Sequence, residues 1–274
     1  MKKNRTVIEP GQDTIGNTIF SVWEYRELVY ILATREVSLR YRQTILGVIW
    51  VIIQPLLASA VFTLVFGMLL NAPSDNVNYA LFTFVGMLPW GVFSQSLQKS
   101  GNSLIREIRL ITKIFFPRII IPTATILATL LDFLVSFILL LGIMAFTSTA
   151  FSLSLLTLPF FLAITYMIAL GLGVFFAAIN VFYRDFTYVL PFIVQVWLYI
   201  SPIAYSDKLI PQNWKWVYDI NPMVGVISGF RWAVFQSTEF PASSVLYSFI
   251  VSLVIFFGGI FMFTKFERKF ADVV

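Results

Sequence analysis

Residues 119–146 read IIIPTATILATLLDFLVSFILLLGIMAF, an apolar run of 28 residues with a single charged side chain, that of Asp132. The hydrocarbon core of a bilayer is about 30 Å thick, and a helix needs about 20 residues to cross it. The run is long enough for this crossing. It therefore predicts a transmembrane helix.

Five more apolar runs flank this one along the chain. They cover residues 45–70, 77–97, 155–182, 189–205 and 245–263. The run at 189–205 is near the lower length limit for a span and contains two prolines. Together, the six runs predict an all-α polytopic membrane protein with six transmembrane helices.

The composition excludes an ordinary soluble domain. Hydrophobic residues make up 58% of the chain, charged residues make up 12%, and the mean hydropathy is +0.84. Soluble domains carry about 25% charged residues. We expect a cytoplasmic N-terminal segment at 1–44, one transmembrane domain at 45–263 and a cytoplasmic tail at 264–274.

Positive charges are distributed unevenly over the predicted loops. With a cytoplasmic N-terminus, all but three of the 19 lysines and arginines fall on the cytoplasmic side; the three are Lys208, Lys215 and Arg231. Cytoplasmic loops are enriched in Lys and Arg, so both termini are predicted to be cytoplasmic. The excess of positive charge is then explained by its role in orienting the helices and by its contact with anionic lipid headgroups. A nucleic acid partner is not needed to explain it.

The chain offers few residues for catalysis. It has no histidine and no cysteine, which removes the usual zinc ligands and most nucleophile–base pairs. It has no Gly-Lys dipeptide, and hence no GxxxxGK[ST] phosphate loop. We therefore expect no enzyme activity, no cofactor and no metal site in this chain. Energy for any work would come from a partner or from an ion gradient.

Residues 20–43 mix apolar and charged side chains without an intervening proline or glycine. Charges at this frequency do not suit the hydrocarbon core. They predict a helix lying along the cytoplasmic membrane surface. The alternative is a soluble helix that packs on a partner.

A second amphipathic helix is predicted at 103–115, between the second and third spans. Leu104, Ile108, Ile111 and Phe115 share one face of it. The remaining circumference carries Arg106, Glu107, Arg109 and Lys113. Such a helix rests on lipid or docks into a groove of another protein, and periodicity alone does not separate the two.

The outer segment at 206–244 is more apolar than a solvated loop, and Pro222 divides it into two parts. It predicts a re-entrant pair of short helices in the outer leaflet. Irregular backbone at that depth needs protein or a watery cavity around it, so the pair is expected to rim an opening. The residues assigned to this rim are Trp214, Trp216, Tyr218, Arg231 and Trp232.

Polar and aromatic side chains are aligned within two predicted spans. They are Trp50 and Gln54 in the first span, and Tyr188, Phe192, Gln195 and Tyr199 at the fifth. Glutamine in lipid needs a partner, so both glutamines should face protein or water. Two interpretations stay open: hydrogen bonds between helices, or a pathway for a substrate, such as a sugar, that stacks on rings and bonds to amides.

Asp132 is the acidic residue deep in a span. It is interpreted as a proton-relay group, as a protonated acid with a hydrogen bond, or as the partner of a basic residue near a helix end. The other spans offer no chain of titratable groups for a relay, which favours a structural role. Four glycines, Gly171, Gly173, Gly225 and Gly229, predict close approach of helices.

Several blocks of the sequence resemble one known family. They are LRYRQTILGVIWVIIQPLL (39–57), FTFVGMLPWGVFSQSL (82–97), LITKIFFPRIIIP (110–122) and NVFYRDFTYVLPFIVQVWLYISPIAY (180–205). They are similar to the permease subunit of type 2 ABC exporters for surface polysaccharides, with O-antigen permeases the nearest in character. The resemblance covers the chain from about residue 20 onward.

The resemblance implies a six-span permease of the bacterial cytoplasmic membrane that works as a homodimer with two separate ATPase subunits, which bind ATP and Mg²⁺. The segment at 103–115 becomes the coupling helix on the ATPase, and the first and fifth spans line the channel. The implied cargo is a polyprenyl-pyrophosphate-linked polysaccharide. Teichoic acid, capsule or a smaller lipid-linked or drug-like molecule are alternatives within the family, and an ion-coupled transporter or a channel is the alternative outside it.

Overall fold

The computed structural model describes residues 15–42, 47–75, 77–147, 149–236 and 239–270. Within these residues the regular structure is entirely helical. The α-helices are α1 (Ile15–Glu24), α2 (Arg26–Arg42), α3 (Gly47–Phe62), α4 (Tyr79–Gly101), α5 (Ser103–Arg106), α6 (Ile108–Lys113), α7 (Ile120–Phe146), α8 (Leu158–Phe182), α9 (Phe186–Ile200), α10 (Gln212–Asp219), α11 (Pro222–Phe235) and α12 (Ala242–Glu267). A π-helix, Thr63–Leu69, continues α3, and short 3₁₀ helices lie at Leu153–Thr157 and Asp207–Leu209.

Among the described residues, five helices are long and apolar enough to cross a membrane, and they make this a multi-pass membrane protein. They are Ile49–Leu69, Tyr79–Gly101, Ile120–Phe146, Leu153–Phe182 and Ala242–Glu267. The fifth predicted span, 189–205, is instead the shorter helix α9, because its helical hydrogen bonding ends at Ile200, just before Pro202. Length therefore supports five of the six predicted spans.

Two predicted helices are each divided in two. The segment at 20–43 forms α1 and α2, with a break at Tyr25, and Gln43 lies outside the described residues. The segment at 103–115 forms α5 and α6, with a break at Glu107, and helix ends at Lys113. No proline or glycine stands at either break.

The core is formed mainly by α4, α7, α8 and α11. Phe93, Phe161 and Phe230 are fully buried there, and the rings of Phe230 and of Phe133 on α7 form a T-shaped pair, with 6.4 Å between the ring centroids. Most of α11 is buried in this core rather than resting on its surface. Asn221 caps the start of α11, and its side-chain oxygen accepts from the amide of Met223.

The predicted close approach of helices at glycines is confirmed. A Cβ on Gly171 of α8 would lie 2.4 Å from the carbonyl oxygen of Ile255 on α12. A Cβ on Gly225 of α11 would lie 2.2 Å from the carbonyl oxygen of Ser244. These distances leave no room for a methyl group, so the glycines set how closely α12 packs on α8 and α11.

The chain from α9 to residue 206 runs along the whole length of α4. Near one end, Leu190 packs against Gly101, the last residue of α4. At the other end, Ser206 Oγ donates to the carboxylate of Asp75, at 3.1 Å to the nearer oxygen, shortly before α4 begins. This stretch therefore connects the two ends of the helix bundle.

Candidate functional site: a charged cavity beside α4

A cavity of about 500 Å³ lies between α3, α4 and α7, with Arg40 of α2 and Leu198 of α9 also in its lining. Trp50 and Gln54 of α3 line one side of it. Gln95 and Lys99 of α4 and Asp132 of α7 line the other side. The cavity is mixed in character, with apolar side chains along most of its length and charged groups at one part of the wall.

Asp132 lies at the centre of a cluster of charged and polar groups. Arg40 Nη1 donates to its Oδ2, the same oxygen accepts from Lys99 Nζ at 3.3 Å, and Tyr41 Oη donates to Oδ1 at 2.7 Å. We call Arg40, Tyr41, Lys99 and Asp132 the Asp132 cluster. Of the three interpretations of Asp132, the structure shows the pairing with basic residues near helix ends, since Arg40 and Lys99 each lie two residues from the end of a helix.

Neighbouring polar groups hold the members of the cluster in place. Lys99 Nζ also donates to Gln95 Oε1 at 2.8 Å, one turn earlier on α4. On α2, burial, followed by the hydrogen bond to Asp132, raises the pKa of Tyr41 to about 12. Tyr41 therefore keeps its proton at physiological pH and remains a donor to the carboxylate.

The residues proposed for ATPase coupling fall into two groups. Arg106 Nη1 lies 3.4 Å from Glu36 Oε1, and Glu107 forms an ion pair with Arg35. In these two reciprocal ion pairs, each element supplies one cation and one acid, and together they connect the α5–α6 segment to α2. Arg109 and Lys113 instead lie on the exposed side of α6.

The predicted apolar face at 103–115 is only partly formed. Leu104 is buried, Ile108 and Ile111 are half-buried, and Phe115 is 76% exposed. Phe115 departs from the face because the helix ends two residues before it, at Lys113.

The aromatic face of α9 points away from the protein core. Tyr188, Phe192 and Tyr199 are 81%, 66% and 62% exposed, and Gln195 is exposed between them. The predicted alignment on one face is therefore present. These four residues do not reach the cavity beside α4, to which α9 contributes Leu198.

The predicted rim residues lie in different environments. Trp214 and Trp216 are exposed on α10, and Trp232 packs edge-on against Phe240 with ring centroids 4.8 Å apart. Tyr218 is half-buried, and its hydroxyl donates to that of Tyr205 at 3.3 Å. Burial, and then this contact with Tyr205, raises the pKa of Tyr218 well above its usual range.

Arg231 lies inside the protein and not on an exposed rim. Its side chain is buried, Nη2 donates to the carbonyl of Ile203 at 2.8 Å, and its guanidinium lies 3.5 Å from the centroid of the Phe82 ring. It therefore links α11 to α4 and to the turn after α9. A cation in this position is stabilised by backbone oxygens and an aromatic face together.

Sequence reasoning included a basic partner for Asp132 among its interpretations but did not identify which residues are its partners. Arg40, Tyr41 and Lys99 are separated from Asp132 by 92, 91 and 33 residues, so no spacing pattern connects them. The signal that the sequence offers is that a lone carboxylate in a span requires a cation nearby, and this signal does not say which cation.

These features define a polytopic helical membrane protein with a largely apolar cavity that has charged groups at one part of its wall, and with no catalytic histidine or cysteine in its sequence. The family model for the ABC-2 type transporter matches residues 27–235. The chain belongs to this family and is a transport subunit.

Curated relatives cover almost the whole chain. Three are O-antigen export system permease proteins named RfbA, two from Klebsiella pneumoniae and one from Myxococcus xanthus. One of the Klebsiella pneumoniae proteins is 26% identical over 90% of this chain and 95% of its own length, and the protein from Myxococcus xanthus is 28% identical over 92% and 97%. The polysialic acid transport protein KpsM of Escherichia coli is 25% identical over 88% of this chain and 93% of its own length.

Proposed function

We propose that this chain is the membrane-spanning permease subunit of an ABC exporter that moves a polysaccharide out of the cytoplasm. The observation that carries the proposal is that relatives matching along nearly their full length are named for export or transport of two different glycans, O-antigen and polysialic acid. What the two have in common is a long carbohydrate polymer. Similarity favours the O-antigen class, since three such relatives match at 24–28% identity.

The working transporter is a homodimer with two copies of a separate ATPase subunit. The sequence has no phosphate-binding loop of its own, and α6 presents the exposed cations Arg109 and Lys113 for docking. A two-fold axis is the commonest closed symmetry, and it would place equivalent faces of the two copies around one pore.

The topology has six crossings, with both termini in the cytoplasm of a bacterial cell, in its inner membrane. The sixth crossing is supplied by α9 and the turn that follows it, because this stretch connects the two ends of α4. The pair α1–α2 lies at the cytoplasmic interface, and α10–α11 enters the outer leaflet without crossing it.

The cargo is a glycan attached to polyprenyl pyrophosphate. Trp50 and Gln54 in the cavity, with Phe192, Gln195, Tyr199 and Tyr188 on the exposed face of α9, provide rings and amides along its path. Aromatic faces stack on the apolar faces of sugars, and amides bond to hydroxyl groups.

The test is affinity purification of the tagged chain from native membranes, followed by native mass spectrometry. We expect a complex of two permease chains with two nucleotide-binding subunits, and ATP-dependent uptake of a lipid-linked glycan into inverted vesicles. Recovery of this chain without an ATPase, under conditions that preserve other complexes, would support an ion-coupled transporter or a channel. ATP-dependent transport of teichoic acid, capsule or a small lipid-linked or drug-like molecule would keep the ABC mechanism and replace the O-antigen cargo.

A further inference from the structure

We propose that the Asp132 cluster is an anion site, which binds the phosphate groups of the lipid-linked substrate through Arg40 and Lys99. This inference rests on the proposed function, because that function supplies a substrate with a pyrophosphate. It assigns the charged end of the substrate to a particular wall of the cavity beside α4.

The first argument is the charge balance of the cluster. Arg40 and Lys99 both contact the same carboxylate oxygen of Asp132, so these two cations share that acid. Charged residues among transmembrane helices are costly, and they normally face a water-filled cavity or a functional pathway. A bound anion would offset part of this cost.

The second argument is the exposure of the groups at the cavity wall. Arg40, Lys99 and Asp132 all line the cavity. The side chains of Arg40 and Lys99 are each 24% exposed, whereas that of Asp132 is 6% exposed. The accessible part of the cluster is therefore mainly cationic, which is the arrangement that anion binding needs.

The third argument is the shape of the cavity. Its lining follows α4 from Lys99 back to Met87, about 18 Å along the helix at 1.5 Å per residue. Its volume of about 500 Å³ is within the roughly 300–1,000 Å³ usual for small-molecule sites. The Trp50 ring and the Gln54 amide line the same cavity, so with the phosphates at Lys99 they would be available to the sugars that follow.

A purely structural ion-pair cluster makes different predictions from an anion site. If the cluster only holds helices together, removing either sign of charge weakens packing and affects no ligand. If it binds an anion, removing a cation weakens binding, whereas removing the carboxylate leaves binding intact or strengthens it. The sign of the effect therefore separates the two roles.

The experiment measures binding to the purified permease–ATPase complex, without nucleotide, by isothermal titration calorimetry. The probe is geranylgeranyl pyrophosphate, and geranylgeraniol is the uncharged comparison. Lys99→Gln is expected to weaken binding of the pyrophosphate at least about tenfold, and Lys99→Arg to retain it, since phosphate recognition depends on the charge. Asp132→Asn is expected to bind as tightly or more tightly. Lys265→Gln, which neutralises an exposed lysine on α12, is the matched control and should equal the unaltered complex.

Any binding of the probe to the ATPase subunits is the same in every variant, so the difference between variants reports this site. Inorganic pyrophosphate is titrated as a second probe. If inorganic pyrophosphate binds more weakly than the prenyl compound, the site is assigned to a lipid-linked anion; if the two bind equally, the site is assigned to a soluble anion. Both results support an anion site.

Equal affinity of Lys99→Gln and the unaltered complex, or loss of binding in Asp132→Asn with normal assembly, would overturn the proposal. Neither result would contradict the proposed function, because ATP-dependent export by the unaltered complex is measured separately. The anion site and the exporter function can therefore fail independently.

Discussion

Two neighbouring glycines on α12 have opposite surroundings. A Cβ on Gly259 would lie 1.9 Å from the carbonyl oxygen of Gly171 on α8, whereas a Cβ on Gly258 would meet nothing within 4 Å. The two positions have the same helical backbone and the same residue type. Their difference therefore isolates helix packing from helix propensity.

We predict that Gly259→Ala destabilises the protein by about 1–3 kcal/mol, the usual cost of forcing extra volume into a packed site. Gly258→Ala should be neutral or slightly stabilising, because alanine is the better helix former by about 1 kcal/mol. The measurement is the thermal unfolding midpoint of each variant in the same detergent. Equal midpoints for the two variants would mean that α8 and α12 do not approach as closely as the structure indicates.

The elements of this fold differ in how well the sequence predicts them. The third and fourth spans agree closely with α7 and α8, because the length of an apolar run is itself the physical requirement for crossing a bilayer. The fifth is shorter than predicted, since hydropathy continues past the point at which the helix ends at Ile200.

The breaks inside the amphipathic segments were not predictable from local sequence. At Glu107 there is no helix-breaking residue, and the carboxylate pairs with Arg35 from another helix. The ion pairs of Asp132 were not predictable from local sequence either, because its cationic partners come from distant parts of the chain. Periodicity describes which residues share a face, but these contacts depend on how α2 packs against α7 and the α5–α6 segment, and on how α4 packs against α7.

The reciprocal ion pairs between α2 and the α5–α6 segment lead to a prediction about the coupling of ATP hydrolysis to export. Arg106→Glu places two acidic groups together at Glu36 and should reduce the amount of glycan exported per ATP hydrolysed. The double variant Arg106→Glu with Glu36→Arg restores an opposite-charge pair and should recover most of this coupling. The measurement is the ratio of export to ATP hydrolysis in proteoliposomes that contain both subunits.

Stability and coupling are expected to separate in this experiment. The side chain of Arg106 is 46% exposed, and pairs at such positions contribute only about 0–1 kcal/mol. The unfolding midpoint should therefore change little. Arg109→Glu is the comparison, because Arg109 is exposed on α6: it should also lose coupling, and Glu36→Arg should not rescue it. Rescue of both variants, or of neither, would mean that the pair between α2 and α5 does not transmit the movement.

At the scale of the whole molecule, the helices divide into a packed group and an exposed group. The described part of α3 has almost no buried residues, and α9 has only Leu190 and Val194 buried. In contrast, α4 and α11 are largely buried within one chain. Two helices that one chain leaves uncovered, and that carry amides and aromatic rings, fit a surface completed by a second copy around a pore.

The absence of cysteine from the sequence allows a direct test of this arrangement. We predict that Gln195→Cys and Tyr199→Cys in the assembled transporter react with a membrane-impermeant thiol reagent. Ile138→Cys on α7 and Val254→Cys on α12 are the controls. In one chain these two side chains are 67% and 68% exposed, similar to Tyr199 at 62%, but they are apolar. The thiolate is the reactive form and is suppressed in apolar surroundings, so the α9 positions should react about tenfold faster or more. Equal rates at all four positions would place the α9 face against lipid, and the polymer pathway would then have to follow the cavity beside α4 alone.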